Sequence, residues 1–179
     1  MSYYHCSPVR GLTVLEPGRP RFFEKPAGVY LTTLLPMALL YGVRNFEYTY
    51  GYTREGQIYY EEYFPNALEE LYQEKRASLY ICAPKAVTTT AIPNEAVSTE
   101  PVEIIEEILI DDVCGALLEQ ERLGTLVIRR YHELTDRMLE WIKNAEAEEI
   151  RKRDLIHLGG PMAEYMRAHY PESWALAGG

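Results

Sequence analysis

The sequence predicts an α+β protein, sheet-rich over its first two-thirds and helical over its last third. Three observations carry that prediction. "SLYICAP", "AVTTTAI", "EAVSTEPV" and "EIIEEILI" are short β-branched runs following one another in quick succession. After Ile110 the apolar residues take up helical spacing, as in Val113, Ala116 and Leu117. Helix-start residues (Asp111-Asp112, Thr135 and Pro161) fall in that same last third. The expected organisation is a sheet-rich core over 1–110, with a helical portion over 111–175 packed on it.

Taken in order, "SYYHCSP" reads as a strand stopped at Pro8, and "GLTVLEPGRPRFFEKPAG" as a loop set by its Pro and Gly breakers. "GVYLTT" is a strand, followed by a helix that can start at Pro36, since proline suits a first helical turn. "FEYTYGYT" and "QIYYEEYF" form a hairpin around "REG", with Gly56 at the bend. Asn66 and Glu69 stand in capping-box register for the next helix, whose buried stripe is Leu68, Leu71 and Tyr72.

Asp111 and Asp112 cap a helix to Leu123, stopped by Gly124. Thr135 caps a longer helix with Met138, Leu139, Ile142 and Ala145 inward. At its far end Glu148 can pair with Lys152 and Glu149 with Arg153. Pro161 opens a last helix carrying Met162, Tyr165, Met166 and His169 on one side. Pro171 is expected to end it, and the terminal "AGG" to fray.

Composition bounds the function. The 179 residues, 47% apolar and 25% charged, allow one domain with a real core. A net charge of −9 opposes broad nucleic-acid binding, which needs a basic field, but leaves room for a small anionic ligand held by local arginines. No apolar run approaches the roughly 18 residues needed to cross a bilayer, and the start has no basic leader, so a cytoplasmic protein is expected. Cys6, Cys82 and Cys114 are odd in number and far apart, which fits reduced thiols and argues against a metal centre. Fifteen tyrosines against four phenylalanines is the unusual entry. Tyrosine suits half-buried sheets as well as ligand clefts.

Several chemistries lack their residues. There is no G-x-S-x-G elbow, no phosphate-binding G-x-x-x-x-G-K-[ST] loop and no G-x-G-x-x-G. The carboxylate runs Glu61-Glu62, Glu106-Glu107 and Asp111-Asp112 read as solvated strand edges or helix caps. His132, His157 and His169 read as surface or core residues.

One constellation remains. "YHCSP" places His5 and Ser7 on the first strand, and "GVYLTTLLPMALLYG" places Tyr30 on a strand and Tyr41 eleven residues later on a helix. A carboxylate follows on a later strand, Glu95 in "IPNEAVSTEPV", with Glu100 and Glu103 as rivals. This pattern resembles the ADP-ribosyltransferase superfamily, in its diphtheria-toxin and poly-ADP-ribose-polymerase branch, over about the first 110 residues. The resemblance implies a split antiparallel sheet and NAD as substrate, with no metal. It implies a catalytic triad of His5, Tyr30 and Glu95, and a binding set of His5, Ser7, Arg10, Tyr30, Thr32 and Tyr41. Arg10 is the expected pyrophosphate partner, with Arg19 and Arg21 behind it.

The chain departs from the family in having Cys6 where glycine follows the histidine and Ala38 where a helix serine is common. Pro93 breaks the E-x-E pattern of the arginine-specific branch. "YYHCSPVRGLTVLEPG" and "DDVCGALLEQERLG" are also similar to a group of small uncharacterised bacterial and phage proteins, a likeness that brings no activity with it.

The physical reason for such a set is independent of the family. A flat amide-bearing ring is well held between aromatic faces. A carboxylate beside the bond to the ribose stabilises positive charge that develops in the transition state. The expected function is transfer of ADP-ribose to a protein or small-molecule acceptor, or hydrolysis of NAD. The alternatives are a nucleotide-sequestering or protein-interaction protein on the same scaffold, a relative of the RNA 2′-phosphotransferases, and a purely structural domain.

Overall fold

The structure, a computed structural model, describes residues 2–19 and 25–179. It is an α+β protein built on a large antiparallel sheet with several helices. The strands of that sheet are β1 (Tyr3–Ser7), β2 (Val14–Leu15), β3 (Val29–Thr32), β6 (Ala77–Ala83), β7 (Thr88–Thr89), β8 (Glu95–Ser98) and β9 (Val102–Ile110). Their order is β2-β9-β6-β1-β3-β8-β7, and each pairing is antiparallel.

The chain divides into two compact units: Met1–Tyr59 with Leu68–Val127, and Tyr60–Ala67 with Ile128–Gly179. The division differs from the expected boundary at 110. Helix α3 (Val113–Arg122) belongs to the first unit, and Tyr60–Ala67 to the second.

In the first unit the pairings Tyr4↔Thr32, Cys6↔Leu79 and Thr32↔Glu95 line those side chains up on one face of the sheet. Helix α1 (Leu35–Leu40) covers that face: a Cβ on Gly42, just past its end, would lie 2.7 Å from Cys6 Sγ and 3.2 Å from Ala77 Cβ. The other face carries Val29, Leu31, Tyr80 and Cys82, buried together with Leu15 and Val102. The short strand β2, which the sequence presents only as loop, delivers Leu15 to that cluster.

The turn from β3 into α1 is set by Thr32. Its Oγ1 accepts from the Leu34 amide at 3.1 Å and donates to Met37 Sδ at 3.2 Å, while Pro36 takes its place in the first helical turn. Strand β4 (Tyr50–Tyr52) leads into β5 (Ile58–Glu61) through a tight turn with Gly56 at φ +83°, as the hairpin reading expects. Helix α2 (Ala67–Tyr72) starts differently from that reading. Asn66 sits at φ +58°, so it is not the extended residue that a capping box needs. "AVTTTAI" contributes only Thr88 and Thr89 to the sheet. Asp112 does cap α3, accepting from the Gly115 amide at 3.2 Å, and Gly124 ends it at φ +73°.

The second unit holds α4 (Asp136–Lys152), α5 (Leu155–Leu158), α6 (Pro161–His169) and α7 (Pro171–Ala177), with α7 packed along α4. It also holds most of β10 (Val127–Arg129), a strand absent from the sequence reading, whose Arg129 carbonyl accepts from the Glu62 amide. Pro171 does not stop the chain from being helical. It sits in the first turn of α7, where a missing amide does no harm, and that helix runs through Ala177; the tail expected to fray instead closes the helix, with the Gly178 and Gly179 amides donating to the Ala175 and Trp174 carbonyls.

Glu61 and Glu62 are buried rather than solvated. Arg129 reaches Glu61 at 3.1 Å, and the Tyr131 amide donates to Glu62 at 2.9 Å. Among the described residues no helix is long and apolar enough to cross a membrane.

Candidate functional site

Strands β1, β3 and β8 are neighbours in that sequence, so the carriers of His5, Tyr30 and Glu95 lie side by side. Glu95 opens β8, directly opposite Thr32 and on the same face as Tyr30. It is only 5% exposed. Lys25 donates to both of its oxygens, at 2.9 Å to Oε1 and 2.8 Å to Oε2, and Thr90 Oγ1 donates to Oε1 at 2.8 Å. The same Lys25 ammonium stands 4.7 Å from the centre of the Tyr30 ring. The Tyr30 hydroxyl donates to the Pro26 carbonyl at 2.8 Å, which ties the segment carrying Lys25 to β3.

Phenols gather around this carboxylate. Burial raises the pKa of Tyr30, Tyr41, Tyr50 and Tyr52, and the negative charge of Glu95 raises each of them further. Tyr41 and Tyr50 share a hydroxyl–hydroxyl hydrogen bond of 3.1 Å, and the Tyr41 ring packs against Tyr48 with centroids 4.5 Å apart. Tyr52 donates to the Pro93 carbonyl at 2.6 Å. The result is one buried acid and one lysine among four phenols that feel the acid's field.

The expected residues distribute unevenly around this cluster. Tyr30, Thr32, Tyr41 and Glu95 are brought together on the α1 face, whereas Glu100 and Glu103 are exposed and outside it. His5 pairs with Tyr80, so the pleat sends it to the opposite face, and its neighbour Cys6 takes the α1 side. The His5 ring keeps one link to the site, a 3.0 Å bond from Nδ1 to the Tyr30 carbonyl. A carbonyl only accepts, so Nδ1 carries the proton and Nε2 is left as an acceptor. Burial lowers the His5 pKa from its ordinary 6.5, against the opposing pull of that carbonyl, and the ring is neutral.

Ser7 accepts from the Val9 amide at 3.2 Å, a local turn contact. Arg10 pairs with Asp111 at 3.6 Å, past the end of β9. Four strand spacings separate β9 from β8, about 19 Å, so Arg10 stands well away from Glu95. Arg19 is exposed, and Arg21 lies outside the described residues. Ala38, in place of the family's helix serine, is fully packed at 2% exposure.

Lys25, Thr90, Tyr50 and Tyr52 belong to the cluster but not to the expected set. The alternation in "YTYGY" is a signal for the tyrosines, because residues two apart on a strand share a face. Lys25 and Thr90 have no such signal, since each meets Glu95 through tertiary structure alone. His169, in the second unit, packs on Phe64 and Tyr165 at centroid distances of 4.4 and 4.3 Å, as a core residue would. Comparison with protein-family models and with curated proteins finds no match for this chain.

Proposed function

We propose that the first unit binds NAD at the Tyr30–Tyr41–Glu95 cluster and transfers its ADP-ribose, to an acceptor or to water. The observation that carries this reading is the placement of Glu95: a buried carboxylate on β8, opposite Thr32, with Tyr30 and Tyr41 within its field. The side-by-side order of β1, β3 and β8 supports an ADP-ribosyltransferase-like split sheet as the scaffold.

The residues suit the substrate's chemistry. Its nicotinamide ring is flat and positively charged, and Tyr30 and Glu95 already accommodate a cation, the Lys25 ammonium. Tyr30 and Tyr41 would offer the ring aromatic surface, and Glu95 would face the positive charge that develops on the ribose.

A second reading, binding without turnover, draws on two observations. His5 leaves the sheet on the face opposite Glu95, and Lys25 holds both carboxylate oxygens. Incubation with NAD, followed by chromatography for free nicotinamide, separates the two. Release that is lost in Glu95→Gln, while binding persists, supports transfer. A rise in melting temperature with no nicotinamide supports sequestration. Neither response would overturn both readings.

A further inference from the structure

We propose that the side-chain cluster around Glu95 is a receptor for an organic cation, and that Lys25 is the occupant the chain itself supplies. The inference rests on the nucleotide reading for the identity of the ligand and deepens it by naming what the cluster selects, the positive charge of the ring.

A carboxylate that is 5% exposed needs a cation beside it, because an unpaired buried charge is strongly disfavoured. Thr90 supplies a neutral hydrogen bond but no charge. Among the described residues, both remaining short contacts come from a single Lys25 ammonium. That lysine reaches the surface. Its side chain is 28% exposed, and it stands three residues before Gly28, where the backbone is fixed by paired bonds with Gly18 of 2.9 and 3.3 Å. The side chain can therefore turn to water without breaking a strand pairing.

The surroundings suit a cation other than an ammonium. The Tyr30 face lies 4.7 Å from the charge, and the Tyr41, Tyr50 and Tyr52 phenols stand within the field of the carboxylate. Entry of a pyridinium as Lys25 leaves exchanges one positive charge for another and keeps Glu95 paired throughout. A neutral ring of the same shape would have to displace Lys25 and leave the carboxylate uncompensated.

Oxidised and reduced nicotinamide dinucleotides differ at the ring by this charge, which makes them the probe. Calorimetric titration should show the wild type binding NAD⁺ about tenfold more tightly than NADH. Lys25→Met, which removes the competing occupant, should tighten both dinucleotides about tenfold and keep the preference for NAD⁺, Lys25→Arg should behave as the wild type, and Glu95→Gln should erase the preference. Circular dichroism on each variant checks that it folds.

Equal affinity for the two dinucleotides in the wild type and in Lys25→Met overturns the cation receptor while the nucleotide reading stands. If neither dinucleotide binds, yet 1-methylnicotinamide binds and does so more tightly to Lys25→Met, the receptor stands and the nucleotide reading falls. No binding of any of the three overturns both.

Discussion

The ammonium of Lys25 reaches both carboxylate oxygens of Glu95, at 2.8 and 2.9 Å, across 70 residues of sequence. The partners are unequally placed, with Glu95 buried and Lys25 more than a quarter exposed. Removing the lysine leaves a buried charge supported by Thr90, whereas removing the acid leaves a lysine free to hydrate. Lys25→Met should therefore destabilise the protein by about 1–2 kcal/mol, below the cost of breaking a fully buried pair because one end is wet. Adding Glu95→Gln should recover much of that loss. Urea denaturation of the two single variants and the double variant measures the coupling, and strictly additive effects would contradict it.

His5 predicts a pH dependence. Its pKa is lowered in the folded protein, so below the ordinary value of 6.5 the unfolded chain binds a proton that the folded one resists. Stability from this residue is fully present above pH 6.5 and is lost as pH falls below it, down to the folded-state pKa. The melting temperature of the wild type should fall between pH 7 and 5.5, and His5→Gln should flatten that slope. Equal slopes in the two proteins would show that the ring is not held neutral.

How far the site could be read from sequence depended on whether its residues are local. Tyr30 and Tyr41 lie on one strand-to-helix turn, and the residues that make the turn, Thr32 and Pro36, sit between them. That corner was legible because strand pattern and proline placement are local properties. The side on which His5 emerges was not, because it depends on pairing with Tyr80, 75 residues away. Lys25 and Thr90 were invisible for the same reason. Pro171 misled because a proline that ends one helix and a proline that starts the next leave the same mark.

The thiols give a third prediction. Burial pushes the Cys6 thiol up to about 12 and the Cys82 thiol up to about 11, against an ordinary value of 9.0, and all three cysteines are buried. At pH 8 almost none of either thiol is the reactive thiolate. Native protein should react with a thiol-specific chromogenic reagent at Cys6 and Cys82 far more slowly than protein unfolded in guanidinium, which should release three equivalents. Prompt labelling of Cys6 in the native state would mean that β1 opens readily or that the thiol is not packed under α1.

The stretch from β3 to α1 is bounded by Gly28 and Gly42, and both glycines are demanded by close approach. A Cβ on Gly28 would lie 2.3 Å from Val97 Cγ2 and 3.1 Å from the Ser98 carbonyl oxygen. One on Gly42 would lie 2.7 Å from Cys6 Sγ and 3.0 Å from the Leu39 carbonyl oxygen. Overpacking of this kind costs about 1–3 kcal/mol, so Gly28→Ala and Gly42→Ala should each lower the urea midpoint by a corresponding amount. The main clash at Gly28 is with a side-chain methyl, so Val97→Ala should recover a large part of the Gly28→Ala loss. Recovery at Gly42 by Cys6→Ala should be smaller, because the Leu39 backbone cannot be trimmed. Since Tyr30 lies on β3 and Tyr41 caps the end of α1, both glycine variants should also weaken NAD binding. The Val97→Ala rescue should restore binding in step with stability. Restored stability without restored binding would show that the spacing of the two tyrosines does not govern the site.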